Sequence, residues 1–203
     1  MNLCSPNRTA VPRIACECTA EMIDAMEITT AEVKEFDCAI EYAFVDTPYA
    51  PALEAWCRYG LCYLGFCTGS REQAIADMRR RFPRSTFAQC AARERYNGAA
   101  AERICLVGTE FQRRVWLALL DVPRGSTISY GELARRVGHS AGLGVRAVAR
   151  AVGANPIGLI LPCHRVVGAD GSLHGYFWGI DIKRRILETE ATATGGGGVA
   201  PKG

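Results

Sequence analysis

The sequence LILPCHRVV at residues 159–167 decides how the rest of the chain is interpreted. Its apolar first half predicts a buried strand or extended segment, and Pro162 favours an extended residue before it. A thiol, an imidazole and a guanidinium follow in consecutive positions, at Cys163, His164 and Arg165. A cysteine is a strong nucleophile only as its thiolate, which needs a nearby base or positive charge. The stretch therefore predicts a fixed and reactive cysteine, although most free cysteines are simply small buried hydrophobes.

A longer pattern surrounds this stretch. Residues 155–168 read NPIGLILPCHRVVG, DGSL follows at 170–173, and GTEFQ opens the pattern at 108–112. The pattern resembles the O6-alkylguanine-DNA alkyltransferase family, in which the cysteine of Pro-Cys-His-Arg removes the alkyl group from damaged guanine. The resemblance covers roughly residues 108–190 and implies a repair protein for O6-alkylguanine, and for O4-alkylthymine, in duplex DNA. Because a thioether has no easy route back to a thiol, it also implies one turnover per molecule.

The resemblance assigns a role to each group of the reaction. Cys163 is the nucleophile, His164 is the base that acts on it through a water, and Glu190 orients the imidazole. Glu190 lies 27 residues after Cys163, as the family glutamate does. Tyr130 donates a hydrogen bond or a proton to the departing guanine. The resemblance implies neither a metal nor an organic cofactor.

Helical patterns before the reactive stretch predict a DNA-binding element. Ser129 is suited to cap one helix, residues 138–144 form a turn, and residues 145–153 form a second helix. Two short helices about a glycine-containing turn indicate a helix-turn-helix. The resemblance implies that Arg146, 17 residues before Cys163 as in the family, enters the base stack when the target base flips out. The residues predicted to bind DNA and flip the base are Tyr130, Arg146, Ala147 and Arg150.

A further set of residues is predicted to line or support the alkylguanine pocket. The resemblance implies that Asn155 links the second helix to the active-site segment and that Arg165 holds that segment. The chain departs from the family pattern in two places. The turn at 138–144 is about two residues longer and lacks the usual Pro or Lys, and Phe177 replaces a small residue or an arginine. The complete set is Asn155, Pro162, Arg165, Val166, Tyr176 and Phe177.

Other classes of protein share parts of this pattern. Lesion-binding proteins of the alkyltransferase-like type lack the cysteine, so Cys163 argues against that class. A regulator that binds DNA through the helix-turn-helix would need a second DNA-binding or cysteine–zinc module, and none is visible in the sequence of residues 1–36. A cysteine hydrolase is the weakest alternative, because such enzymes use a cysteine and a histidine that are separated in sequence.

Composition and charge predict a cytoplasmic globular protein that binds DNA. Of the 203 residues 49% are hydrophobic, without an apolar run long enough for a membrane span or the start of a signal peptide. Ten irregularly spaced cysteines favour reduced thiols over disulfides or a zinc site. Residues 109–190 carry 11 basic and 7 acidic side chains, whereas residues 1–108 carry 12 and 14. We expect a monomer whose partner is double-stranded DNA, associated with the nucleoid when bound.

The order of predicted elements indicates an α+β or α/β fold with two domains. We predict a poorly ordered N-terminal extension at 1–36 with short helices near 21–26 and 30–36, and a small α/β domain at 37–104. A mainly helical, winged-helix-like alkyltransferase domain follows at 105–190, and a flexible glycine-rich tail occupies 191–203.

Within these domains, local patterns predict particular elements. Strands at 39–45 and 60–67 are expected to pair with each other. Capping boxes at Ser70 and Thr109 start two helices, and a short final helix is predicted at 183–190.

Overall fold

The computed structural model describes residues 26–90, 103–139 and 143–193, which form a mixed α/β fold. None of the described helices is long and apolar enough to cross a membrane. The strands are β1 (Glu27–Ala31), β2 (Ala39–Asp46), β3 (Pro51–Cys57), β4 (Gly60–Phe66), β5 (Thr86–Gln89), β6 (Arg103–Val107), β7 (Ile128–Ser129) and β8 (Val166–Val167). The helices are α1 (Arg71–Arg81), α2 (Glu110–Leu120), α3 (Tyr130–Arg136), α4 (Leu143–Gly153) and α5 (Ile180–Ala193), with a 3₁₀ turn at Cys163–Arg165.

Six strands form one sheet in the order β1-β6-β4-β3-β2-β5. Strands β2 and β4 form where they were predicted, but they do not pair with each other, because β3 lies between them and is antiparallel to both. The prolines at 48 and 51 suggested a break in the chain there. Pro51 instead opens β3, and the first residue of a strand is a position where proline is tolerated.

The N-terminal part of the described chain corrects a second expectation. The helix predicted near 30–36 does not form, because residues 27–31 form strand β1 and residues 33–35 form a turn. Strand β1 pairs in parallel with β6. Ile28, Thr29 and Thr30 are β-branched residues that suit a pleated sheet better than a helix. The sheet therefore begins inside the segment predicted to be an extension. Most of the helix predicted near 21–26, the connection at 91–102 and the tail from 194 onwards lie outside the described residues.

Helix starts follow the predicted capping chemistry. The Thr109 hydroxyl accepts a hydrogen bond from the Gln112 amide at 3.2 Å, and the Gln112 side chain accepts one from the Thr109 amide at 2.9 Å. Ser70 and Gln73 make the same reciprocal pair at α1, and Ser129 caps α3. These boxes satisfy amide groups that have no partner within the helix. The final helix, α5, is longer at both ends than predicted.

The segment before Pro162 is buried as predicted, but it is not a strand. It runs through consecutive turns, with Leu159 at a φ of +68°, and makes a single bridge between Leu64 and Ile157. The side chain of Asn155 explains this shape. Its amide nitrogen donates to the Leu161 carbonyl at 2.8 Å, and its oxygen accepts from the Ile157 amide at 2.9 Å, so it replaces the partners that a neighbouring strand would supply.

Both halves of the chain contribute to one apolar core. Strand β4 packs together with α2, α4 and the segment before Pro162, represented by Leu64, Trp116, Val148 and Leu161. The Trp116 indole also donates to the Ala151 carbonyl at 2.7 Å, which locks α2 to α4. A second cluster fills the opposite face of the sheet beneath α1. The core therefore fixes α4 and the active-site segment against the large sheet.

Candidate active site

Cys163 begins the 3₁₀ turn at the base of a cleft. Only 4% of its surface is exposed, and the cleft in front of it has a volume of about 310 Å³. One wall comes from α4 and the other from the segment after β8, with Tyr130 beside the cysteine. The lining residues are Tyr130, Ala149, Val152, Gly153, Cys163, Gly175, Tyr176, Phe177 and Trp178.

The environment of Cys163 opposes a free thiolate. Burial raises the pKa of the Cys163 thiol, because a charge in an apolar site loses its hydration. Hydrogen bonding from Asn155 and Tyr176 and the positive charge of Lys183 act in the other direction but do not reverse the shift. The thiol is therefore neutral near pH 7 and needs a base at the moment of reaction.

His164 lies beside that thiol and is completely buried in a charged hydrogen-bond cluster. Its Nε2 lies 3.0 Å from Oε1 of Glu190. Arg165 donates to both Glu190 oxygens, at 2.9 Å and 2.7 Å, and to the Val122 carbonyl at 2.6 Å. The Gly125 amide also donates to Glu190, at 3.4 Å. One carboxylate thus joins α5, the active-site turn and the loop between α2 and α3.

The cluster fixes the protonation state of His164. Although burial favours the neutral acid, the hydrogen bonds from His164 and Arg165 hold the pKa of Glu190 well below its usual range, so Glu190 is ionised. Burial lowers the pKa of His164, although Glu190 opposes this shift. A neutral imidazole facing a carboxylate carries its proton on Nε2, which leaves Nδ1 as the acceptor. Nδ1 is buried without a hydrogen-bond partner among the described residues.

The other residues of the predicted pocket take three kinds of position, of which the first is the cleft lining, where Tyr176 and Phe177 lie. Asn155 and Pro162 are buried in the segment that leads to Cys163, and Val166 pairs with Ile128 in the short β7–β8 ladder. That ladder places the start of α3, and so Tyr130, next to the active-site turn. Burial raises the pKa of Tyr130, which keeps its hydroxyl protonated as a donor.

The predicted DNA-binding residues lie on α4, outside the cleft. Arg146 and Arg150 are exposed, as their helical positions predicted, and Ala147 is partly exposed between them. The neighbouring face of the same helix contributes Ala149 and Val152 to the cleft wall. Residues 140–142 of the predicted turn lie outside the described residues.

Two cations near the site, the buried Lys183 and the partly buried Arg81, were not predicted from the sequence. Lys183 donates to the carbonyls of Val166 and His174, at 2.6 Å and 3.2 Å, and burial lowers its pKa to about 8. Its position was detectable, because Lys183, Ile186, Leu187 and Glu190 share one helical face at i, i+3, i+4 and i+7. Arg81 of α1 contacts the ring of Phe177, a cleft residue, and nothing local in the sequence indicates this contact.

The remaining cysteines do not form a metal site in the described part of the chain. Cys38, Cys57, Cys62, Cys67, Cys90 and Cys105 are free thiols. Within residues 26–90, 103–139 and 143–193, no group of three or more His, Cys, Asp or Glu side chains is arranged to hold a metal ion.

Comparison with known proteins identifies relatives of both halves. Residues 110–192 match the family model described as 6-O-methylguanine DNA methyltransferase, DNA binding domain. A methylated-DNA–protein-cysteine methyltransferase of Methanosarcina acetivorans is 38% identical over 157 residues, which cover 74% of this chain and 98% of that protein. One from Mycobacterium bovis is 56% identical over 85 residues, 42% of this chain and 50% of that protein. The crystal structure of Mycobacterium tuberculosis OGT in complex with DNA superposes with a TM-score of 0.58 at 36% identity, covering 75% of this chain and 93% of that one.

The Glu190 cluster predicts a large and pH-dependent loss of stability in Glu190→Gln. At pH 7 the variant leaves Arg165 buried without its counter-charge, and we expect a loss of about 3–5 kcal/mol of unfolding free energy. The folded pKa of Glu190 is lowered, so its contribution is complete above the unfolded pKa of about 4.3 and is lost as pH falls through the folded pKa. The difference in unfolding free energy between wild type and Glu190→Gln should therefore become smaller in acid.

Urea unfolding at pH 7 and at pH 3 measures both effects. Glu188→Gln is the matched control, because Glu188 is exposed on the same helix, and it should change stability by less than about 0.5 kcal/mol. Equal stability of Glu190→Gln and Glu188→Gln at pH 7 would contradict the role assigned to the cluster.

Proposed function

This chain belongs to the methylated-DNA–protein-cysteine methyltransferase family, and we propose that Cys163 removes the alkyl group from O6-alkylguanine in duplex DNA. The observation that carries the proposal is a row of three residues that leads from the cleft into the interior. Cys163 faces the open space, His164 follows it with an unpaired Nδ1, and Glu190 holds the other imidazole nitrogen at 3.0 Å. Such a series provides a nucleophile, a base and a group that orients the base.

The reaction is a displacement at the alkyl carbon. The proton of the Cys163 thiol passes to Nδ1 of His164, through a water as the family resemblance implies, and Glu190 stabilises the imidazolium that results. The sulfur then forms a bond to the alkyl carbon, the bond from that carbon to O6 breaks, and its electron pair stays with the guanine. Tyr130 donates a hydrogen bond or a proton to the departing base. His164 gives up its extra proton through water, which restores any proton that Tyr130 has lost, so that in total one proton passes from the thiol to the guanine. The product is an S-alkylcysteine and an intact guanine, with no metal or organic cofactor required.

The placement of α4 supports a base-flipping route into the cleft. The atom under attack is enclosed in a duplex, so the nucleotide must leave the base stack before it can reach a buried cysteine. Arg146 and Arg150 are exposed on the helix whose adjacent face lines the cleft, so a helix bound to DNA would present both together. We propose that Arg146 fills the gap in the stack, while Tyr130, Ala147 and Arg150 contact the flipped nucleotide and its phosphates.

The proposal includes a single turnover and a single subunit. The thioether formed at Cys163 is stable, so each chain should accept one alkyl group, from O6-alkylguanine or from O4-alkylthymine. All groups of the site come from one chain, which supports action as a monomer. A DNA substrate supports a cytoplasmic, nucleoid-associated location. The lesion-binding alternative makes no use of a nucleophile, and Cys163 argues against it. The regulatory alternative would need a second DNA-binding or cysteine–zinc module.

Transfer of label from DNA to protein tests the proposal. Wild type, Cys163→Ser and Cys67→Ser are each incubated with an excess of duplex DNA that carries O6-[methyl-labelled] guanine. Wild type and Cys67→Ser should each carry one label per chain at Cys163, and Cys163→Ser should carry none, because Cys67 lies outside the cleft. Unlabelled wild type that still binds the damaged duplex would contradict the transferase and favour the lesion-binding alternative.

Base flipping predicts that Arg146 matters for duplex DNA and not for a free base. We expect Arg146→Ala to slow transfer from duplex O6-methylguanine at least tenfold, since an inserted side chain offsets unstacking worth a few kcal/mol. Transfer from free O6-methylguanine should stay within twofold of wild type. Single-turnover rates for the two substrates give the comparison, with the exposed Arg184 on α5 changed to Ala as the control. An equal loss on both substrates would contradict a flipping role for Arg146.

A further inference from the structure

Arg81 belongs to α1, far from Cys163 in sequence, and yet its guanidinium contacts Phe177, which lines the active cleft. Its Nη1 donates to the Ala154 carbonyl, just beyond the end of α4, at 2.5 Å. The guanidinium carbon also lies 5.5 Å from the ring centre of Phe177 and 5.8 Å from that of Tyr63. These distances are within the range of cation–π contacts.

Phe177 lies at the mouth of the cleft and is only partly packed against the rest of the protein. Its surface is 51% exposed, whereas the neighbouring Trp178 is buried at 3%. The Trp178 indole packs edge-on against the Phe177 ring, with 5.5 Å between the ring centres. The Arg81 guanidinium lies over the Phe177 ring from helix α1. A ring that is half in water gains little from burial, so these two contacts determine where it sits.

A second cleft lies on the other side of Phe177 and Trp178. It has a volume of about 350 Å³ and includes Phe66, Ser70, Gln73 and Asp77 in its walls. The two aromatic residues thus line both this space and the active cleft. A Phe177 ring that left the mouth of the active cleft would move towards this adjoining space. The contacts with Arg81 and Trp178 oppose that movement.

Arg81 also fixes the opposite wall of the active cleft. The carbonyl groups at the end of a helix lack partners within the helix and carry partial negative charge, so a guanidinium stabilises them. The Ala154 carbonyl follows directly on the part of α4 that lines the cleft through Ala149, Val152 and Gly153. One side chain from the large sheet's helix therefore contacts both walls that face each other across the cleft.

We propose that Arg81 is a positioning residue that sets the size of the alkyl group Cys163 accepts. It holds Phe177 across the mouth of the cleft and holds the end of α4 opposite, which leaves room for a methyl group and restricts a benzyl group. The inference rests on the proposed transferase function. Through Arg81, the N-terminal half of the chain takes part in substrate selection, which the position of Phe177 alone does not explain.

The test compares two free bases, O6-methylguanine and O6-benzylguanine, which need no flipping. Single-turnover rates are measured for wild type, Arg81→Met, Phe177→Ala and the double variant. Both single variants should raise the benzyl-to-methyl rate ratio about tenfold, the scale of one aromatic or cation–π contact. The double variant should not exceed Phe177→Ala, because both changes release the same ring. Arg80→Met is the control, since Arg80 is exposed on the same helix and touches neither wall.

Several outcomes would overturn the inference. Arg81 would not act through Phe177 if the benzyl-to-methyl rate ratio of Arg81→Met stayed within twofold of the wild-type ratio. The same conclusion would follow if the effects of the Arg81 and Phe177 changes multiplied fully in the double variant. Arg81→Lys covers the case in which Arg81→Met does not fold. Lysine lacks the planar fork that reaches the ring and the carbonyl together, so its ratio should rise at least threefold, by roughly 0.65 kcal/mol. Wild type that transfers from neither base nor from duplex DNA would instead contradict the proposed function.

Discussion

The buried carboxylate of Glu190 is the group on which the active site depends. A charge with almost no exposed surface is tolerable only when its oxygens are paired and hydrogen-bonded. Arg165, His164 and the Gly125 amide supply those bonds, and Arg165 extends the network to the Val122 carbonyl. Moving these elements apart would leave a charge in an apolar interior without its partner. The free-energy cost of an unpaired buried charge holds α5, the active-site turn and the loop after α2 together as one rigid unit.

In the proposed reaction, this arrangement keeps the buried thiol protonated until a substrate arrives. Burial keeps the Cys163 thiol and the His164 imidazole neutral, while the charge of Lys183 and the hydrogen-bonding side chains limit how far the thiol pKa rises. Charge separation occurs only when a proton moves from sulfur to imidazole, next to a carboxylate already in place to stabilise the cation. Preorganised charges of this kind need no reorientation during the reaction. A protein that reacts once benefits from a nucleophile that is protected from other electrophiles.

Local chemistry explains why much of the fold was predictable. Capping boxes at Ser70 and Thr109 mark helix starts through side chains that bond backbone amides three residues away. The exposed face of α4 follows from helical periodicity, because Arg146 and Arg150 are four residues apart. The grouping of Cys163, His164 and Glu190 came from the family resemblance, since no spacing rule places a residue 26 positions away beside an imidazole.

Long-range contacts account for the errors. The prolines around β3 concealed a strand whose position depends on partner strands on both sides. Arg81 meets Phe177 across two parts of the chain that are far apart in sequence. Tertiary packing decides each of these, and no local pattern encodes it.

Before the proposed reaction, His164 is a neutral imidazole. Its Nδ1 is free to accept the thiol proton, and its Nε2–H is directed at Glu190. Nitrogen-15 NMR of the protein labelled at histidine measures this directly, with His164 assigned by comparison with His164→Gln. At pH 7 we expect a pyridine-like shift for Nδ1 and a pyrrole-like shift for Nε2. A protonated Nδ1, whether in the other tautomer or in an imidazolium, would contradict the account, because no acceptor for the Cys163 proton would remain.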